Sequence, residues 1–202
     1  MFKVNLERLD DFCEAWIAKA NRADTTSIDG VFDQFFSLWL VYNRLYEEAG
    51  RILVHERHPW SQAPGFNKRP PFMPMPDRQA AITGITFFCG ASALKSAIAK
   101  SCDSQALDRT LRAIESGQFF LHENYATGEP DHEKDQALVR QAREGDAEAL
   151  LALVYKARCN LFHGQKAYSE IQRPLLGGMI AVLVVVIEQA RAKMRSRMER
   201  LR

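Results

Sequence analysis

The sequence predicts an all-α, single-domain helical bundle, and three observations carry that expectation. Apolar residues recur at helical spacing in nearly every segment, and no stretch alternates with period two. The chain has 202 residues, 47% apolar and 26% charged, so one core can bury roughly 70% of the unfolded surface. Gly and Pro together number 19, too few for disordered, collagen-like or low-complexity classes. One domain over residues 1–202 is expected, with a helical extension over 1–28, a Pro-rich loop over 56–76 and a basic helix end over 191–202.

The elements follow in order. Phe2 to Asn21 places Leu6, Leu9, Phe12, Trp16, Ile17 and Ala20 on one stripe. A long amphipathic helix starts after Asp29, a candidate N-cap. There Val31, Leu38, Leu45 and Ile52 repeat every seven residues, with Phe32, Phe35, Trp39, Tyr42, Tyr46, Ala49 and Leu53 alongside. Asp33, Gln34, Asn43, Arg44, Glu47, Glu48 and Arg51 are expected on the opposite face. Six of the eight prolines lie between Pro59 and Pro76, a density no helix tolerates. Trp60, Phe66, Lys68, Arg69 and Phe72 make that loop aromatic and basic. It reads either as a strap on the bundle or as a surface that stacks bases and meets phosphates.

A third helix is expected from Asp77 to Lys100, whose small residues imply close neighbours. Shorter helices follow over Ser104–Glu115 and His132–Arg143, and another runs over Asp146–Leu161 with Asp146 as cap. A break at His163-Gly164 precedes a last helix that opens around Ser169–Pro174. It is apolar nearly all round through Leu175–Ile187, more surface than one bundle face buries, which predicts a symmetric homodimer.

Composition also narrows function. Cys13, Cys89, Cys102 and Cys159 form no C-x-x-C pair, so reduced thiols in a cytoplasmic protein are expected and a zinc ribbon is excluded. The N-terminus lacks the apolar core of a secretory leader. The 13-residue run Leu175–Ile187 falls short of the ~20 residues a bilayer needs, so no membrane partner is expected. The last 12 residues carry five net positive charges, whereas the first 190 hold 21 basic and 24 acidic residues. That end is either a phosphate-seeking tail or a helix terminus whose cations suit the helix dipole.

Motifs for chemistry are few. His55-Glu56-Arg57-His58 is one residue short of a zinc-protease H-E-x-x-H and runs into Pro59. His122-Glu123 and His132-Glu133 have no partners at ligand spacing, so neither metal nor cofactor is expected. In Lys156-Ala-Arg-Cys-Asn-Leu-Phe-His-Gly-Gln-Lys166, Arg158 and His163 lie about 1.4 turns apart with Asn160 between them. A guanidinium matches phosphate oxygens, and an imidazole exchanges protons near neutrality. Those are the minimal parts for metal-free RNA cleavage; the same residues also read as a helix C-cap and a turn histidine. Cys159 reads as a small buried filler or as a thiolate nucleophile.

Arg158-Cys-Asn-Leu-Phe-His163-Gly resembles the R-x(4–6)-H signature of the HEPN superfamily. Phe35-Phe36-Ser-Leu-Trp39-Leu-Val-Tyr-Asn43-Arg-Leu-Tyr46 is similar to the aromatic first core helix of Apea-like HEPN proteins, with its W-x-x-x-N-x-L-Y pattern. The resemblance implies an HEPN-like bundle of four to five core helices, commonly dimeric, with two Arg/His motifs facing across a cleft. It implies a metal-independent endoribonuclease of toxin–antitoxin, phage-defence or stress systems, leaving 2′,3′-cyclic phosphate ends, with an antitoxin protein as a further partner in such systems. Carried over, Arg158 is the phosphate and transition-state ligand, His163 the general acid or base, and Asn160 a positioning residue. Lys166 and Lys156 are substrate contacts. The polar residue that often follows the Arg is here Cys159. Gln165 stands where one subgroup has a Tyr that its nucleotidyltransferase antitoxin modifies. The alternative is a non-catalytic HEPN module that binds RNA or a protein.

Overall fold

Two long apolar helices form the centre around which the rest is arranged. In the computed structural model, residues 5–62, 76–124, 126–162 and 169–199 are described. Helix α1 (Leu6–Asn21) is capped by Asn5, whose side chain accepts from the Arg8 N–H, and buries Leu9, Cys13 and Ala20. Helix α2 (Ile28–His55) starts earlier than the sequence suggests. Ser27, not Asp29, is its cap: Ser27 Oγ accepts from Gly30 N at 3.1 Å. Asp29 instead lies in the first turn, where a carboxylate suits the positive end of the helix dipole.

The predicted α2 stripe is buried from Val31 to Leu53, with Phe32 partly exposed at its edge. Glu48 departs from expectation. It is 3% exposed and is neutralised by Arg44 at 2.6 Å and Arg51 at 3.4 Å, which lets a carboxylate sit at a core edge.

The expected helix over 77–100 is two. Helix α3 (Asp77–Cys89) contains a π-turn over Ala80–Gly84, and it bends by 91° into α4 (Ala91–Ser101). The bend sits at Gly90, whose φ of 93° is left-handed and costs a residue without Cβ little. Helices α5 (Ser104–Glu115) and α6 (His132–Arg143) match expectation, capped by Asp103 and Asp131. Helix α7 (Ala147–Phe162) follows, opened by Asp146, whose side chain accepts from Glu148 N at 2.8 Å. A short 3₁₀ turn at Glu170–Gln172 leads into α8 (Arg173–Glu199). Among the described residues no strand forms, and the one isolated bridge pairs Glu123 with Pro130. Residues 63–75 of the Pro-rich loop and the His163-Gly164 break lie outside the described residues.

Helix α8 is the axis. Leu175, Leu176, Met179, Val182, Leu183, Val185, Val186 and Ile187 are all buried within one chain, against α2, α4, α5 and α7. Only Ile180, half-buried, and Val184, 39% exposed, remain of the surplus apolar surface. The argument for a dimer from this helix therefore loses its basis, and the dimer expectation rests on the family resemblance. The apolar run also continues into a longer helix than the 13 residues suggest: Glu170–Arg197 is long and apolar enough to cross a membrane by length and composition, with 56% of the apolar window buried inside the bundle.

The basic end is tied down. Arg191 and Arg195 bind Asp10 of α1 at 3.1 and 2.9 Å, and Arg197 binds Glu56 at 2.7 Å while its guanidinium lies over Phe88. Three of the tail's cations thus fasten α1 and the end of α2 to α8.

Candidate functional site

Helix α7 has an inner face, Leu150, Leu153, Val154 and Ala157, in the core, and this fixes where its polar residues fall. Arg158 is directed toward α2. Its guanidinium lies over the Trp39 ring at 5.4 Å, and Nη1 is 4.0 Å from Cys159 Sγ. Trp39 meets Tyr42, Tyr46 and Tyr155 edge-on. Asp77, the first residue of α3, joins these rings: Tyr46 donates to its Oδ1 and Tyr155 to its Oδ2 at 2.9 Å. The Tyr46 hydroxyl also faces the Asn43 amide. It is Asn43 Oδ1 that faces the hydroxyl, because Asn43 Nδ2 donates to Glu47 Oε1 at 3.3 Å. Burial, then the Asp77 carboxylate, pushes both phenols well above their ordinary range, with Arg158 working in the opposite direction on Tyr46. The two sequence stretches singled out, Trp39–Tyr46 and Arg158, meet here.

Asn160 is 2% exposed. Its Nδ2 donates to Leu121 O at 2.9 Å, while Oδ1 is buried without a partner among the described residues. It lines a cavity of about 90 Å³ with Gln172, whose Oε1 is likewise unsatisfied. That space and those two acceptors suit ordered water. Through Nδ2, Asn160 holds the Leu121 carbonyl. His163 and Lys166 lie outside the described residues.

Lys156 lies on another side of α7, in a groove of about 570 Å³ that it lines with Arg78, His122, Lys134, Tyr155 and Cys159. Lys134 is shared with Asp131 at 3.2 Å. Arg78 and Lys156 have no ion-pair partner among the described residues. A second cavity of about 270 Å³ shares Arg78 with it and is lined also by Asp146 and Glu148.

His122, which has no partner at ligand spacing in the sequence, has one in the fold. Its Nδ1 lies 2.7 Å from Oδ1 of Asp135, which is 0% exposed. Asp135 Oδ2 accepts from Leu121 N at 2.7 Å and His122 N at 3.4 Å. The signal was present: Asp135, Val139 and Ala142 stand at i, i+4 and i+7 and are all buried. A carboxylate on the apolar stripe of a helix must have donors waiting; the sequence does not say which.

The other histidine motif is accounted for locally. His58 Nδ1 accepts from Trp60 N at 3.2 Å, its ring lies against Phe87, and Glu56 is held by Arg197. Among the described residues no three His, Cys, Asp or Glu side chains converge as metal ligands. Comparison with protein-family models finds no match, and comparisons with curated proteins and with solved structures find none either.

Proposed function

We propose that the chain is a metal-independent endoribonuclease of the HEPN type, cytoplasmic and active as a homodimer in a toxin–antitoxin, phage-defence or stress setting. The observation that carries this reading is the meeting of Arg158 with the Trp39–Tyr46 stripe beside a groove lined by Lys156. Arg158 supplies a fixed planar cation for a phosphate and for the charge that develops on it. His163 exchanges the proton, Asn160 holds the neighbouring segment in place, and Lys156 and Lys166 contact the RNA backbone. The 2′-hydroxyl is the nucleophile, so the product carries a 2′,3′-cyclic phosphate.

A second reading has its own support. Arg158 is seated on Trp39 and Asn160 is spent on Leu121 O, as in a module that binds RNA or a protein without cleaving it. Purified protein on mixed RNA in excess EDTA separates the two. The nuclease reading expects cleavage, with His163→Ala losing a factor of 10²–10⁴ in rate, on the order of what one proton-transfer group contributes. Arg158→Ala should lose rate and affinity together. RNA binding with no cleavage by the wild type gives the second reading; activity abolished by EDTA and restored by Mg²⁺ refutes the mechanism.

A further inference from the structure

The cavity beside Asn160 differs in kind from the groove of Lys156. The two linings share no residue, and among the described residues around this one none is charged. Two amides take their place. Asn160 is 2% exposed and Gln172 6%, and Oδ1 of the first and Oε1 of the second are buried acceptors with no donor among the described residues. We infer that this cavity is a binding pocket for a nucleobase: a flat, neutral ring that donates N–H bonds to these two oxygens. The inference goes beyond the ribonuclease reading and does not depend on it.

The Asn160 oxygen cannot be exchanged for its NH2 group. Nδ2 is committed to Leu121 O at 2.9 Å, and a flipped amide would set two carbonyl oxygens against each other. One acceptor is therefore fixed by the core, and Gln172, on the turn before α8, adds the second. A buried acceptor without a donor is a standing cost to the free fold. Sites kept for a ligand carry such costs, and sites kept for stability do not.

Size and lining decide what the donors are attached to. At about 10–15 Å³ for each water, a volume of about 90 Å³ has room for roughly six to nine of them. Each ordered water needs about two to four polar partners, more than two amide oxygens can supply to so many. The wall is otherwise apolar, with Phe119, Phe120, Leu161 and Leu175. An aromatic ring laid against it displaces the loosely held water, and the ring's edge replaces the bonds that water made to the amides. An ammonium or carboxylate would be buried there unpaired, so the ligand is neutral. Guanine, adenine and cytosine each join a neutral ring to an edge with at least two N–H hydrogens, whereas uracil has one. The wall is also pre-formed: Leu121 N is held by Asp135 at 2.7 Å and Phe119 N by Ala113 O at 3.1 Å. Ile171, 57% exposed, stands among the lining residues and gives an incoming ring an apolar edge to meet.

The test uses the full chain and titration calorimetry with guanosine, adenosine, cytidine, uridine and inosine. The three amino-bearing nucleosides should bind saturably. Uridine, and inosine relative to guanosine, should bind about tenfold more weakly, the effect of one hydrogen bond left unmade at a buried acceptor. A short guanosine-containing oligoribonucleotide that competes with guanosine assigns the pocket to a base within RNA, and one that does not assigns it to a free nucleoside. Gln172→Leu should weaken guanosine binding about tenfold and, by removing an orphaned acceptor, raise the thermal midpoint of the free protein by about 2–4 °C. Leu161→Phe, which occupies the cavity and leaves both amides in place, should abolish binding without lowering the midpoint. Binding of no nucleoside, uridine as tight as guanosine, or guanosine binding unchanged in both variants overturns the pocket. RNA cleavage in EDTA, measured alongside, reports on the ribonuclease reading alone.

Discussion

Asp135 is the residue on which the groove's geometry depends, and removing its carboxylate has a calculable cost. Asp135→Ala leaves the Leu121 N–H, now 2.7 Å from an acceptor, without a partner at a residue that is 2% exposed. An orphaned buried donor costs about 1–3 kcal/mol. His122 Nδ1–H loses its 2.7 Å partner too, but that ring is part-exposed and recovers much of the loss from water. The shortened side chain adds a small cavity. The expected total is about 2–4 kcal/mol. At roughly 2–4 °C per kcal/mol for a chain of this size, the thermal midpoint should fall by about 5–15 °C.

Asp135→Asn makes the sharper comparison. Its amide oxygen can still accept from Leu121 N, so stability should drop by only about 1 kcal/mol. Its NH2 then faces His122 Nδ1, which must become an acceptor, and the ring proton moves to Nε2. Calorimetry measures the first effect, and ¹⁵N imidazole spectra read the second. A midpoint for Asp135→Ala within about 2 °C of wild type, or an unchanged tautomer in Asp135→Asn, would refute the argument.

Other expectations follow from the core and the tail. A Cβ at Gly178 would stand 2.2 Å from Thr110 Oγ1 and 3.1 Å from Ala106 O, so Gly178→Ala should push α5 off α8 and cost about 1–3 kcal/mol by chemical denaturation. Burial raises the Asp10 carboxyl, but hydrogen bonds from Arg195 and Arg191 outweigh it and hold the group below its ordinary value. Stability from that pairing is complete above the unfolded carboxylate value and is lost as pH falls through the lowered folded one. Asp10→Asn should therefore be less stable at neutral pH and lose less on acidification in pH-dependent melts. Burial pushes the Cys13 thiol up to about 11 and the Cys89 thiol up to about 12. Native protein at pH 8 should leave both unreacted toward a thiol reagent, and unfolding should release them.

The sequence revealed elements better than the joints between them. Periodicity located α5 and α6, and the structure adds the caps that start them, Asp103 and Asp131. It ran α3 and α4 together because nothing local in an Ala- and Gly-rich stretch distinguishes a tight contact from a φ of 93° at Gly90. It placed Glu48 on the outer face beside Arg44 and Arg51, its one-turn neighbours on the same helix, and could not foresee the tertiary packing that leaves the carboxylate 3% exposed.

The site divides in the same way. Spacing alone left Arg158 equally readable as a helix cap, and only the motif resemblance singled it out; its orientation over Trp39 is a tertiary fact. His122 and Asp135 are 13 residues apart, on a loop and a helix, so no motif contains them both. What joins them is Leu121, whose N–H goes to Asp135 and whose carbonyl goes to Asn160. Asn160 sits inside the Arg158–His163 signature. A polar residue there that is buried, and committed to the peptide group just before His122, couples the signature to a second histidine by one shared backbone unit. Its substitution should consequently displace His122 as well as weaken α7. In Asn160→Ala, a changed His122 ring signal with Arg158 still against Trp39 is the arrangement this coupling requires, and an unmoved His122 would break it.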